Sequence, residues 1–258
     1  VQTRTKTRMA LLAEGLSERN IQFIEDMIEI FTQESKKLDG NLSFGSLAKL
    51  TGVLQPTAAL HIHGHPTSGK TALVCYIINK IPDDRKVLWI DTTFSFSNNL
   101  IKNKESVFVF QTAKLEPAID IVGNYAAVVI DDFASVVDAA NITHIIGECK
   151  RNNTFLAATA QERYDLRRHS PRAMRANLTA LFDVSLKMQK AETRTDRIFY
   201  QTVVERHRIH PTNRSKYCLI PITKQGVVIE GQRGNASLSG RVDGQGPAKE
   251  NTPSPDDS

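Results

Sequence analysis

The run Gly64-His65-Pro66-Thr67-Ser68-Gly69-Lys70-Thr71 constrains this chain more than any other feature. It satisfies the phosphate-loop pattern G-x-x-x-x-G-K-[ST] at every constrained position. Glycines at the two ends let the backbone curl until several N–H groups point inward at a β-phosphate. Lys70 reaches the β- and γ-phosphates, and the Thr71 hydroxyl ligates Mg²⁺. The flanks agree: Ala58–His63 reads as a short strand and Ala72–Ile78 as a buried helix. Strand, glycine loop and helix together place a helix N-terminus against a triphosphate. ATP and Mg²⁺ are therefore the expected cofactors, and Gly64, His65, Pro66, Thr67, Ser68, Gly69, Lys70, Thr71 and Ala72 form the expected binding segment.

At 258 residues the chain has room for one full α/β domain with short appendages. Its 40% hydrophobic and 24% charged residues are ordinary for a globular protein. No apolar run approaches the ~20 residues needed to cross a bilayer, so no membrane partner is expected. Val1–Arg8 carries basic residues with no apolar core behind them, which reads as no secretory leader. Cys75, Cys149 and Cys218 lie far apart without metal spacing, each in an apolar stretch. They read as small buried hydrophobes in a reducing, cytoplasmic setting. A net charge of +5 permits a polyanionic partner without demanding one.

Along the chain, Ser17 opens an amphipathic helix with Ile21, Ile24, Met27, Ile28 and Phe31 at helical spacing, ended by Gly40. Residues 1–40 thus form an N-terminal helical segment that either lids the core or packs on a neighbouring subunit. From Leu42 apolar strands alternate with helices. Strands are expected at 86–91, 106–110, 126–132 and 154–160, and helices at 115–122 and 138–151. Leu181–Met188 and Arg197–Glu205 alternate like paired edge strands, and Tyr217–Ile222 with Val227–Ile229 closes the sheet. The expected class is α/β: a mostly parallel sheet flanked by helices, with an antiparallel C-terminal extension, over residues 41–230. Residues 231–258 turn to Gly, Ser, Asn, Pro and Asp and read as a disordered tail.

Asp131 closes an apolar strand, the position from which an acid holds Mg²⁺ through water beside a phosphate loop. Hydrolysis also needs a group to orient or deprotonate water; Asp132 and Asp91 are the candidates, each of which could instead cap a turn. Gln161 ends the next strand, where an amide can sense a γ-phosphate. The stretch from Gln161 to Asn177 carries Arg163, Tyr164, Arg167, Arg168, His169, Arg172 and Arg175. Arginine forks suit a nucleic-acid backbone and Tyr164 can stack on a base, although most charge runs are solvated surface. A second basic cluster, Glu205–Arg214, offers Arg206 and Arg208 as cations for a nucleotide in the next subunit, or as an exposed hairpin.

In this order of pieces the chain resembles the RecA superfamily of P-loop ATPases, and in size the small RecA-like recombinases of phages. Asn41–Leu50 resembles their lead-in, His63–Leu73 their phosphate loop and Leu88–Thr93 their catalytic-carboxylate strand. Val128–Asp132 resembles the Mg²⁺ strand, Leu156–Gln161 the strand ending in the allosteric glutamine, and residues 162–177 the second DNA loop. Arg197–Pro211 resembles the strand whose basic pair crosses the subunit interface. The resemblance implies an ATP-dependent oligomer or filament on single-stranded DNA, with duplex DNA and a single-strand-binding protein as further partners. Its work would be homologous pairing, recombination and repair in a prokaryotic or phage-infected cytoplasm. Two positions depart from the pattern: Thr93 stands where the family has its water-activating glutamate, which implies a slow DNA-dependent ATPase, and the basic pair falls near Glu205 and His207. A ring-forming helicase or packaging motor and a non-catalytic recombination mediator stand as alternatives.

Overall fold

A computed structural model of the protein describes residues 13, 15, 17–133, 139–165, 170–172, 179–194, 197–213, 216–223 and 226–227. Its elements are α1 (Glu18–Thr32), α2 (Ala48–Thr51), β1 (Ala59–Gly64), α3 (Lys70–Ile78), β2 (Val87–Asp91), β3 (Val107–Gln111), α4 (Glu116–Val122) and β4 (Ala127–Asp131). There follow α5 (Ala139–Arg151), β5 (Phe155–Gln161), β6 (Arg163–Asp165), β7 (Ser170–Arg172), β8 (Val184–Arg194), β9 (Arg197–His207), β10 (Tyr217–Thr223) and β11 (Gly226–Val227). Among the described residues nine strands make one sheet in the order β3-β2-β4-β5-β1-β8-β9-β10-β11, and β6 pairs with β7 alone. The first six in that order run parallel and the last three antiparallel.

Strand alternation sorts the core into two layers. Leu60, Ile62, Ala127, Val129, Ala157, Val184, Leu186 and Met188 face α3, whose Leu73, Val74, Ile77 and Ile78 are buried. Ala59, Val128, Ile130, Leu156 and Ala158 face the other way, onto Ala118 and Val122 of α4 and Ile142, Ile145 and Cys149 of α5. Strands buried on both faces read as continuous apolar runs, which is why they were legible. The apolar side chains of these layers contribute about 1.5–3 kcal/mol each for the larger ones. Cys75 and Cys149 are buried and Cys218 half-buried, all three as free thiols.

Two readings are corrected. The N-terminal helix stops at Thr32 rather than Gly40. Ser17 caps it by accepting from the Asn20 N–H at 3.3 Å, but residues 33–39 leave the helix to strap onto the core. The Ser35 N–H donates to Asn124 O at 2.7 Å and Leu38 is 3% exposed. The Lys37 ammonium donates to the carbonyl of Gly123, just past α4, and to Tyr125 O at 2.9 Å. Carbonyls left over at a helix end attract a cation, and that pull overrides helix propensity here. Second, β8 is not an edge strand: it begins at Val184 and lies between β1, which it parallels, and β9. Val228, Ile229 and the expected tail at 231–258 lie outside the described residues.

Candidate functional site

The tips of the central parallel strands meet at one edge of the sheet. Gly64 is in register with Gln161, and Asp91 with Asp131. β1 turns there into the phosphate loop, whose two ends favour glycine. A Cβ on Gly64 (φ +155°) would sit 2.1 Å from the Met188 carbonyl oxygen, and one on Gly69 (φ +81°) 2.5 Å from Ile222 Cδ1. Between them Thr67 also takes a positive φ, 61°, and its carbonyl accepts the Tyr200 hydroxyl at 2.9 Å. The antiparallel strands thus brace the loop from outside. Inside it, Lys70 Nζ donates to His65 O at 2.8 Å and Gly64 O at 3.2 Å, 3.4 Å from Ser68 Oγ. An ammonium held by backbone carbonyls inside the loop can swing onto a phosphate group that enters there. The residues present therefore fit a triphosphate. Burial lowers the Lys70 pKa against the pull of Asp132, Asp131 and Glu162.

On the metal side, Thr71 Oγ1 donates to Asp131 Oδ2 at 3.1 Å, and Thr159 Oγ1 donates to Asp131 Oδ1. Burial raises the Asp131 pKa, while those two hydroxyls pull it down. A hydroxyl and a carboxylate converging beside the loop lysine are a hard-oxygen set suited to Mg²⁺. Asp132 lies beneath the tip of β5: its Oδ2 accepts the Gln161 N–H at 3.1 Å and its carbonyl accepts the Thr92 hydroxyl at 2.6 Å. Gln161 itself is exposed.

Asp91 is 1% exposed. Its Oδ1 accepts Thr93 N at 3.2 Å and Thr93 Oγ1 at 3.1 Å, and its Oδ2 accepts Phe96 N at 2.9 Å and Gln111 Nε2 at 3.0 Å. Burial pushes this carboxyl up, but the bonds from Gln111 and the N–H groups of Phe96, Ser95 and Thr93 outweigh it and leave the pKa lowered. Thr93 also meets Ser95 Oγ at 2.6 Å.

Sequence reasoning missed a buried charged cluster beside the loop. His61 and His63 alternate on β1 and stack with centroids 4.8 Å apart. His61 is fully buried between Phe133 and Phe182, with Nδ1 2.9 Å from Ser185 Oγ. Burial, then the neighbouring His63, holds its pKa well below the usual value. His63 Nδ1 meets Glu162 Oε1 at 3.0 Å and its Nε2 meets Glu205 Oε2 at 2.8 Å. Burial works to lower the His63 pKa, but the two carboxylates prevail and raise it. Glu162 also takes Lys187 Nζ at 3.1 Å. The His63 hydrogen bond, with Lys187 behind it, brings the Glu162 carboxyl down to about 2. The available signal was the pair of histidines two apart in a strand buried on both faces. Among the described residues no group of three or more His, Cys, Asp or Glu could hold a metal ion, so this is an ion-pair network.

The arginine-rich stretch begins where Gln161 ends. Arg163 pairs with Arg172, Tyr164 with Pro171 and Asp165 with Ser170, so a two-stranded hairpin leaves the tip of β5 beside the loop. Arg167, Arg168, His169 and Arg175 lie outside the described residues. Arg206 is in register with Ser185, and the Arg208 N–H donates to Asp183 O at 2.7 Å. Ser185 lies three residues before Met188, the residue of β8 in register with Gly64. Glu205 is taken up by His63, and His207 is buried with Nε2 on Thr51 O at 2.7 Å.

No family model matches the chain, and no curated protein matches it in sequence. Among solved structures it is similar to the crystal structure of the RadB recombinase, with 20% identity and a TM-score of 0.58 over 72% of this chain and 98% of that one. The chain therefore shares the fold of that structure, a mostly parallel α/β sheet flanked by helices with an antiparallel C-terminal extension. Among the described residues no helix is long and apolar enough to cross a membrane.

Proposed function

We propose that this chain is an ATP-dependent DNA-binding protein of the RecA recombinase type, assembling on single-stranded DNA to support pairing, recombination and repair. One observation carries the reading. The closed set Lys70, Thr71 and Asp131 sits at the tip of β1, and the strand in register with that tip runs through Gln161 directly into the Arg163–Arg172 hairpin. Mg²⁺–ATP, when bound, supplies a triphosphate whose γ-phosphoryl group water can accept. Gly64–Ala72 would hold the triphosphate, and Thr71 with Asp131 the metal. Asp132, bonded to the Gln161 N–H, would orient water at the foot of the hairpin. Arg163, Tyr164 and Arg172, with Arg167, Arg168, His169 and Arg175, would grip the DNA backbone and bases.

Arg206, level with Ser185, and Arg208, whose N–H is bonded to Asp183 O, would meet the nucleotide of a neighbouring subunit. That placement suits head-to-tail self-association, with residues 1–40 as the coupling segment. The test is fluorescence anisotropy of a labelled single-stranded oligonucleotide. Affinity should rise at least tenfold with a non-hydrolysable ATP analogue and fall steeply with salt, with a log–log slope scaling as about 0.7 per phosphate contacted. Indifference to both overturns the proposal. Thr93 favours a second reading, a nucleotide-switched mediator with little turnover, because its hydroxyl is committed to Asp91 and Ser95 and supplies no base. Strand pairing by the pure protein excludes that reading.

A further inference from the structure

Glu162 stands between the tip of β5 and the first residue of β6, and its N–H donates to Gly64 O at 2.9 Å. It therefore touches the phosphate loop through its backbone and the hairpin through its chain. Its side chain, 4% exposed, is unequally served. Oε1 accepts from His63 at 3.0 Å and Lys187 at 3.1 Å. Oε2 is buried with no hydrogen bond, and Nε2 of His65 stands 3.8 Å from it, beyond bonding distance. A buried carboxylate oxygen without a donor is an unstable arrangement that any approaching N–H relieves.

His65 is the second residue of the phosphate loop, and its imidazole is half exposed. Its carbonyl is one of the two that hold Lys70 Nζ. Lys70 is also the side chain that a triphosphate draws away. Loading the loop therefore removes the strongest bond on the His65 peptide at a point where its ring has 3.8 Å to an unmet acceptor. The remaining charges are fixed. Both ring nitrogens of His63 face carboxylates, Glu162 and Glu205, an arrangement that favours the ring with both protons. Lys187 completes the balance from β8, His61 is held by Ser185, and Lys70, Asp131 and Asp132 face the cluster across the loop.

We infer that His65 and Glu162 form a nucleotide-dependent latch. Departure of Lys70 from the His65 carbonyl lets Nε2–H of His65 close onto Oε2 of Glu162, and this fixes the start of the Arg163–Arg172 hairpin. Glu162 is then a positioning residue, acting on DNA through β6. The inference rests on the DNA-binding reading above for its consequence, and on the loop geometry alone for its mechanism.

The test uses the full chain with Mg²⁺ and a non-hydrolysable ATP analogue, comparing the wild type with Glu162→Gln and His65→Gln. In the wild type, amide hydrogen exchange of β6 and β7 should slow at least fivefold when the analogue is added. In Glu162→Gln that slowing should drop below twofold, while the Kd for the analogue changes less than threefold and oligonucleotide affinity without nucleotide stays within threefold. His65→Gln should lose the same slowing, and the double variant should lose no more than either single one. Full slowing in Glu162→Gln, or losses that add in the double variant, overturns the latch. If Glu162→Gln fails to fold, His65→Gln decides alone, read with the analogue at a concentration that saturates the variant: retained slowing overturns the latch and lost slowing upholds it. A wild type that slows normally but gains no DNA affinity refutes the DNA-binding reading and upholds the latch.

Discussion

Asp91 ends β2 at the sheet edge that carries the phosphate loop, one of the two positions from which a base for hydrolysis was expected. An ionised carboxylate offers about four acceptor sites. Here Thr93 N, Thr93 Oγ1, Phe96 N and Gln111 Nε2 occupy them at 2.9–3.2 Å. A group so committed anchors the loop after β2 and has no lone pair for water. In Asp91→Asn the cheapest orientation turns the amide NH₂ toward Thr93, whose hydroxyl can rotate to accept it. The Thr93 N–H is then stranded, and the bonds from Phe96 and Gln111 lose the charge on their acceptor. Hydrogen bonds to a charged group are worth about 1.5–3 kcal/mol and a stranded donor about 1–3 kcal/mol. Since Thr93 and Gln111 are exposed enough to recruit water, the net loss should be about 2 kcal/mol, or roughly 4–8 °C in Tm for a chain near this size.

The assay pairs thermal unfolding with single-turnover ATP hydrolysis per folded molecule. Tm should fall as stated while the rate changes less than threefold. Because the folded carboxyl is held below its unfolded value of about 3.9, its stabilisation is present above that pH and is lost as pH falls through the folded value. The stability gap between wild type and Asp91→Asn should therefore close on acidification below about pH 4. An unchanged Tm with a hundredfold slower rate would show that Asp91 is the base, and that filled acceptor sites do not preclude the role.

Tyr200→Phe removes the hydroxyl that holds the Thr67 carbonyl; a lost bond of about 1 kcal/mol corresponds to roughly fivefold weaker nucleotide binding, measured with a fluorescent ATP analogue, with little change in Tm. Replacing Arg167 and Arg168 together by Ala should weaken oligonucleotide binding about tenfold or more and flatten its salt slope by about one to two, leaving nucleotide affinity intact; equal loss of both would make the segment structural. His63, whose pKa is raised by Glu162 and Glu205, stabilises the fold fully below its unfolded value of about 6.5 and less as pH rises through the folded value. The difference in urea midpoint between wild type and His63→Asn should shrink from pH 6 to pH 9, and a difference that grows would mean that the ring is held neutral.

The readings that held are those in which residue type answers a local geometric demand. A Cβ at Gly64 would clash with the Met188 backbone and one at Gly69 would be held at a strained positive φ, so the phosphate loop announces itself. Strands buried on both faces must be apolar throughout, so β1, β2, β4 and β5 stand out even without alternation. The end of α1 did not announce itself, because Gln33 caps it without a glycine or proline and the chain departs to deliver Lys37 to carbonyls near residue 124. Lys187 shows the general reason. Among Val184, Leu186 and Met188 it reads as the solvent side of an alternating edge strand, and its sheet was drawn accordingly. In the fold β8 has neighbours on both sides, and Lys187 points to a face on which Glu162 waits from another strand tip. A charge whose partner lies far away in sequence is indistinguishable, within its own segment, from one facing water. His63, Glu162, Lys187 and Glu205 come from β1, the end of β5, β8 and β9, and each alone looks like a surface residue or an oddity. The parallel register of β1 with both β5 and β8, with β9 antiparallel beyond β8, brings them together. That same register sets the phosphate loop against the strand that becomes the hairpin, so the cluster that escaped sequence reading lies between the two elements that the proposed function would couple.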